Sequence, residues 1–298
     1  MSSQSVSLPR KLPITEGLLL LVAIVWGTSY GVTKSALFFV SIPLFLSLRF
    51  FSTFVCLIPA LISDYRNGNV GEWWKALPTG AILAGIFSCE VIGVSLTSAS
   101  NAAFLISLSM IFTAVFERVI NQSKPSPVLM TLSVGCLIGV GMLTWQENRI
   151  DINVGDGFIL LAAVLRGIMV TTTKRFTEGS EISTLAVTAI QSFVVGWLAF
   201  IAFIAISPLS NWELPSEVDF WLMLGYLVVF CTLFAFAVQN FAVRRLSPTK
   251  VSMLMGSEPL FGALFAAWWL QESMTLIQIL GGALICFCVV KLMLSPKA

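Results

Sequence analysis

The chain alternates between long apolar runs and short breaks rich in polar residues, Gly and Pro. The runs fall at about 17–35, 42–63, 76–95, 99–119, 127–145, 157–174, 183–206, 219–239, 250–270 and 275–293. Within each run, apolar residues continue around the whole helical circumference, so water is not the solvent for the outer faces. Each run is long enough for a bilayer core of ~30 Å, which takes about 20 helical residues. The pattern therefore predicts an all-α polytopic membrane protein with ten transmembrane helices. The shortest break is Leu96–Ser98, and a merger there would lower the count by one. A membrane β-barrel would instead show alternating segments of ~10 residues.

Charge tests the count, because a missed helix would scramble which loops share a side. Of the 17 Lys and Arg residues, thirteen fall on one side: Arg10, Lys11, Arg66, Lys75, Arg118, Lys124, Lys174, Arg175, Arg244, Arg245, Lys250, Lys291 and Lys297. The other side holds two, Lys34 and Arg149, and the loops there carry Glu147, Asp151, Asp156, Glu213, Glu217, Asp219 and Glu272. The positive-inside rule then places both termini in the cytoplasm. Met1 to Pro13 with Arg10 and Lys11 looks like the start of a signal peptide. The apolar run that follows is too long for one and lacks a small-residue cleavage site, so it reads as a retained first helix.

Composition agrees: 57% of residues are hydrophobic and 11% charged, against roughly 25% charged in an average soluble domain. A net charge of +2, with no basic cluster beside stacking aromatics, excludes a nucleic-acid partner. The six cysteines, Cys56, Cys89, Cys136, Cys231, Cys286 and Cys288, lie inside apolar runs without metal-ligand spacing and read as packing residues.

The first and sixth runs coincide at an offset of 140: Gly17/Gly157, Leu20/Leu160, Leu21/Leu161, Ala23/Ala163, Gly27/Gly167, Thr33/Thr173 and Lys34/Lys174. This divides the chain into a first five-helix repeat, residues 1–150, and a second, residues 151–298. Five is odd, so the second repeat crosses the membrane in the opposite sense, the inverted construction of many secondary transporters.

With these residues in hand, the chain resembles the drug/metabolite transporter superfamily, in its ten-helix EamA-type branch. The carriers are Trp26-Gly27 within Ala23–Lys34, Pro43 to Arg49, Thr97-Ser98-Ala99, and above all the stretch Gly256–Glu272 containing Glu258-Pro259. The first repeat departs from the pattern where Ser109-Met110 stands opposite Glu258-Pro259. The resemblance implies a cofactor-free carrier in the bacterial inner membrane, monomer or homodimer, most similar to exporters of aromatic and other neutral amino acids. It also implies a site lined by the first, third, fourth, sixth, eighth and ninth spans.

Ionisable groups inside spans cost ~2.5–3.5 kcal/mol or more each, so they face a cavity or one another. Four qualify: Arg49, Arg166, Glu90 and Glu258. Their sum is zero when all are ionised, which suits a zwitterionic amino acid better than a dianionic nucleotide sugar. Structural pairing, such as Arg49 with an acid across a helix interface, competes with that reading. Trp26 repeats the position of Arg166, and Trp26 and Tyr30 lie four apart on one helix face. Asn101, Ser107 and Ser109 add polar atoms in the fourth run, which interhelical hydrogen bonding also explains. Pro259 marks a hinge, Lys34 and Lys174 suit helix C-termini as snorkelling cations, and Gly135/Gly139 with Gly281/Gly282 mark close packing between helices or subunits. Two interior arginines for two acids favour facilitated movement over obligatory proton exchange.

Competing classes fare poorly. With no His in the chain, Ser-His and His-metal catalysis are excluded, and no intramembrane Asp pair exists for proteolysis. A channel would show rings of like charge or a filter loop. Among transporters, an exporter of cationic drugs or other metabolites is the alternative, and it would favour an acid without a basic neighbour.

Overall fold

A computed structural model describes residues 14–145, 153–206, 214–269 and 274–294. Arg10, Lys11, Glu147, Arg149, Asp151, Glu213, Glu272 and Lys297 lie outside the described residues. Among the described residues there is no strand. The helices are α1 (Ile14–Ala36), α2 (Ile42–Arg66), α3 (Leu77–Leu96), α4 (Ala99–Ser107), α5 (Ser109–Ile120), α6 (Pro127–Leu143), α7 (Val154–Thr177), α8 (Thr184–Ile206), α9 (Val218–Tyr226), α10 (Ala235–Val243), α11 (Pro248–Met255), α12 (Glu258–Trp269) and α13 (Leu276–Leu294). Each expected run is helical, and the Leu96–Ser98 break is real: Thr97 is extended and Ser98 caps α4 by accepting from the Asn101 amide.

Among the described residues, eight helical stretches are long and apolar enough to cross a membrane, and α6 is a shorter apolar helix of 17 residues. Large apolar side chains such as Ile58, Ile62, Val119, Ile138, Ile201, Leu222 and Phe287 point outward, as a lipid-facing surface requires and a soluble surface forbids. The chain is a multi-pass membrane protein. Short breaks stop the helices with local chemistry. Ser126 and Ser247 cap α6 and α11, each followed by Pro where no amide donor is needed, and Asn153 with Asp156 forms a capping box on α7.

Two of the expected spans are broken at mid-length. The ninth stops at Met255 and resumes at Glu258, with Pro259 in the first turn of α12. The fourth turns at Leu108 between α4 and α5, next to Ser107, whose hydroxyl donates to the Ala103 carbonyl at 2.7 Å, a back-bond that bends helices. The eighth is continuous but passes through a π segment, Leu227–Phe234, between α9 and α10.

Lipid supplies no hydrophobic drive between helices, so close approach rests on small residues. Gly27 lies so near α12 that an added Cβ would sit 2.6 Å from the Glu258 carbonyl oxygen and 2.7 Å from the Gly262 nitrogen. Its counterpart Gly167 packs α7 on α5 in the same way, 2.9 Å from the Thr113 nitrogen. Gly139 and Gly281 bring α6 against α13, so this glycine pattern joins helices within the chain. The longest packed pairs, α2 with α8 and α3 with α7, cross between the two sequence repeats.

The basic loops gather at one end of the bundle, as the charge count requires. Lys174 Nζ donates to the Arg244 carbonyl at 3.0 Å, Arg175 donates to the Ile120 carbonyl, and Asn69 Nδ2 to the Glu181 carbonyl at 2.9 Å. Glu72 accepts from the Ser180 hydroxyl and from the Glu181 and Ile182 amides, and Lys250 pairs with Glu16 at 3.1 Å. Lys34 ends α1 exposed, and all six cysteines are free.

Candidate functional site

The site is built where the second halves of α1 and α3 and the middle of α7 face the first turn of α12. Gly27 lets α1 lie on the first turn of α12, which sets Tyr30 beside Glu258: the phenol donates to Glu258 Oε1 at 2.8 Å. Arg166 reaches in from α7. Its two terminal nitrogens fork, one to Glu258 Oε1 at 3.3 Å and the other to Glu90 Oε2 on α3 at 3.4 Å. Its guanidinium carbon also lies 4.8 Å from the centroid of the Trp26 ring, close enough for a cation–π contact. One cation is thus held between two carboxylates and an aromatic face. Glu258 Oε2 is buried without a hydrogen-bond partner.

The π segment holds two of these side chains from behind. Its irregular backbone leaves the Cys231 carbonyl to accept from Trp26 Nε1 at 3.0 Å, which fixes the indole. Thr232, whose hydroxyl back-bonds to the Leu227 carbonyl, accepts from Arg49 Nε at 2.8 Å. The Arg49 guanidinium stacks on Phe87 at 4.9 Å and Phe50 at 5.6 Å. The expected pairing of Arg49 with an acid across a helix interface is not what the structure shows. Among the described residues no carboxylate lies within 4.0 Å of it, because the nearest interior acids are already engaged by Arg166.

These side chains enclose a cavity of about 20 Å³ lined by Trp26, Ser29, Tyr30, Thr33, Arg49, Phe87, Glu90, Val91, Val94, Arg166 and Glu258. That space holds about one water. A solute larger than water does not fit that space in this conformation. The lining lies in the second half of α1 and of α3 and the first third of α2, so the cavity sits toward the end opposite the basic loops.

Five of the seven substrate-binding candidates, Trp26, Tyr30, Glu90, Arg166 and Glu258, converge on this cavity, and Arg49, expected as a structural residue, joins them. Asn101 is exposed on α4, and Ser109 is buried at the start of α5; neither lines the cavity. Ser107 faces the other broken span, 3.4 Å from the Gly256 carbonyl. Sequence reasoning missed Ser29, Thr33 and Phe87 in the lining, and Cys231 and Thr232 behind it. Tyr30 and Thr33 share the helix face of Trp26, which could have flagged Thr33; no local signal marks the π segment.

A chain of apolar helices with two broken spans around an ionic cluster has the architecture of a membrane carrier, and comparison with known proteins gives the family. The EamA-like transporter family matches twice, over residues 14–145 and 153–294. The chain belongs to the EamA-like transporter family, within the drug/metabolite transporter superfamily. It is 25% identical over 282 residues, 91% of this chain and 83% of the relative, to an uncharacterized transporter of Archaeoglobus fulgidus. A second uncharacterized transporter of that organism is 24% identical over 219 residues, 71% of this chain and 73% of the relative. A solved crystal structure of a protein shares the fold at a TM-score of 0.76, with 16% identity, covering 93% of this chain and 95% of that one.

Proposed function

We propose that this transporter exports small zwitterionic solutes, aromatic and other neutral amino acids first among them, across a bacterial inner membrane by alternating access. The observation that carries this reading is the site itself: separate cationic and anionic groups, Arg166 and Arg49 against Glu90 and Glu258, beside the faces of Trp26 and Phe87. A zwitterion offers a carboxylate to the arginines and an ammonium to the acids, and its side chain finds aromatic walls. Both interior acids have Arg166 as a basic neighbour, which removes the feature that would favour a lipophilic cation.

Ten crossings in two inverted five-helix repeats are part of the proposal. The family's double match, the break in the fourth and the ninth expected spans, and the paired roles of Gly27 and Gly167 support it. Inverted repeats supply two similar conformations of opposite orientation around one central site. With the basic end cytoplasmic, this conformation is closed toward the cytoplasm. There Glu117 accepts from the Thr249 amide at 2.9 Å and its hydroxyl at 2.5 Å, and Thr113 bonds Ser252 at 2.7 Å.

The test is counterflow in proteoliposomes with a panel of neutral amino acids, quaternary ammonium compounds and nucleotide sugars. Neutral amino acids should exchange. Arg166→Ala should lower exchange by about 100-fold, since a bound solute carboxylate loses a buried charge partner worth about 3 kcal/mol, with membrane level and elution profile unchanged. Full activity in that variant, or exchange of quaternary ammonium compounds alone, rejects the reading.

A further inference from the structure

The four interior charges cancel in sum, but they do not pair two by two. Arg166 divides its terminal nitrogens between Glu258 on α12 and Glu90 on α3, so these three side chains form one unit of two carboxylates and one guanidinium. Arg49 stands apart from that unit. It reaches the same cavity from α2, and among the described residues no carboxylate lies within 4.0 Å of it. With all four groups ionised, the cavity has a positive end at Arg49 and a negative end at the shared acids.

Arg49 is seated for a ligand rather than for a partner within the chain. Its Nε donates to Thr232 at 2.8 Å and its guanidinium lies over Phe87 and Phe50, which fixes both position and plane. The terminal nitrogens are left over: among the described residues neither donates to any oxygen, although Arg49 is only 3% exposed and lines the cavity. A buried guanidinium with no anion beside it is costly, and an anion placed there relieves the cost. The terminal edge of a guanidinium matches a carboxylate with two parallel N–H···O bonds. Arg166 does not present that edge, because its terminal nitrogens are drawn to two different acids and its face to Trp26.

The two acids differ in the same way. Glu258 is wholly buried and holds the Tyr30 hydroxyl as well as Arg166, whereas the Glu90 side chain keeps 14% of its surface exposed. Glu90 Oε2 takes Arg166, and among the described residues its Oε1 has no donor.

We propose that Arg49 anchors the carboxylate of the substrate through its terminal nitrogens and Glu90 anchors the ammonium through Oε1, so that the head group lies in one direction, from α2 to α3. This rests on the amino acid reading of the same site. Arg166 holds Glu90 in place and shares in the charge that meets the carboxylate. Arg49 thereby becomes the residue that separates an amino acid from an amine of the same shape, a task that a structural arginine would not perform.

The test is equilibrium binding to the whole protein in lipid nanodiscs. The probes are phenylalanine, phenylalaninamide, which lacks the carboxylate, and hydrocinnamate, which lacks the ammonium. Ratios of affinity are read within one preparation, so the amount of folded protein does not enter. The phenylalanine-to-amide ratio should fall by about 30-fold or more in Arg49→Gln, the effect of removing one partner of a buried charge pair. In Arg49→Lys, which keeps the charge without the fork, it should fall by about tenfold. Glu90→Gln should leave that ratio near wild type and instead lower the phenylalanine-to-hydrocinnamate ratio by about 30-fold or more. Wild-type phenylalanine-to-amide ratios in both Arg49 variants, or a fall of that ratio in Glu90→Gln alone, overturn the assignment. So does an Arg49→Lys protein that binds neither compound, because Arg49 would then hold the cavity together rather than select a carboxylate. If the wild-type protein binds neither phenylalanine nor its amide, the amino acid reading fails, and hydrocinnamate against hydrocinnamamide still decides whether Arg49 selects a carboxylate.

Discussion

A single Cβ separates positions that tolerate change here from positions that do not. Gly27 and Gly31 lie one helical turn apart on α1. An added methyl at Gly27 would sit 2.6 Å from the Glu258 carbonyl oxygen, while at Gly31 nothing lies within 4 Å. Backbone atoms of α12 cannot swing away as a side chain can, so Gly27→Ala must push α1 off α12 and draw Tyr30 from Glu258. Overpacking of this kind costs about 1–3 kcal/mol, against ~0.5 kcal/mol at an open surface position. Thermal unfolding in detergent should therefore show a lowered transition for Gly27→Ala with reduced exchange, and a transition close to wild type for Gly31→Ala. Equal transitions would mean that the α1–α12 contact does not hold the site together.

At the scale of elements, α11 stands out because all eight of its residues are buried although Lys250, Thr249 and Ser252 are polar. Each is met by a partner: Glu16 for Lys250, Glu117 for Thr249, Thr113 for Ser252. These contacts plug the basic end beneath the cavity. If they form in one conformation and break in the other, removing one shifts the population by its differential energy. For the Glu16–Lys250 pair that is about 1 kcal/mol, a factor of about five. Labelling of a cysteine at Ser252 by a small water-soluble thiol reagent from the basic side should rise about fivefold in Glu16→Gln. No rise would show that the pair does not belong to the seal.

For the whole molecule, the proposed orientation rests on charge alone, while the structure ties together loops expected on one side through Lys174, Arg175, Asn69 and Lys250. In a variant freed of native cysteines, a thiol at Ser216 should react with impermeant reagent from outside intact cells. One at Gln122 should react only after the membrane is opened. The reverse pattern would invert the protein in the membrane.

The sequence by itself determined the helices, because desolvation is local: a run of apolar side chains either suits lipid or does not, whatever its neighbours. It also marked the four ionisable residues whose cost in lipid demands a partner, and all four line one cavity. Which partner each takes was a matter of tertiary structure. Arg166 rather than Arg49 serves both acids because α7 places it between α3 and α12, whereas the π segment turns Thr232 toward Arg49. The break at Leu108, the π turn and the pairing of α2 with α8 arise from contacts between residues far apart in the chain. They leave no periodicity behind, since in a chain apolar on every face the sequence does not say which face meets which helix.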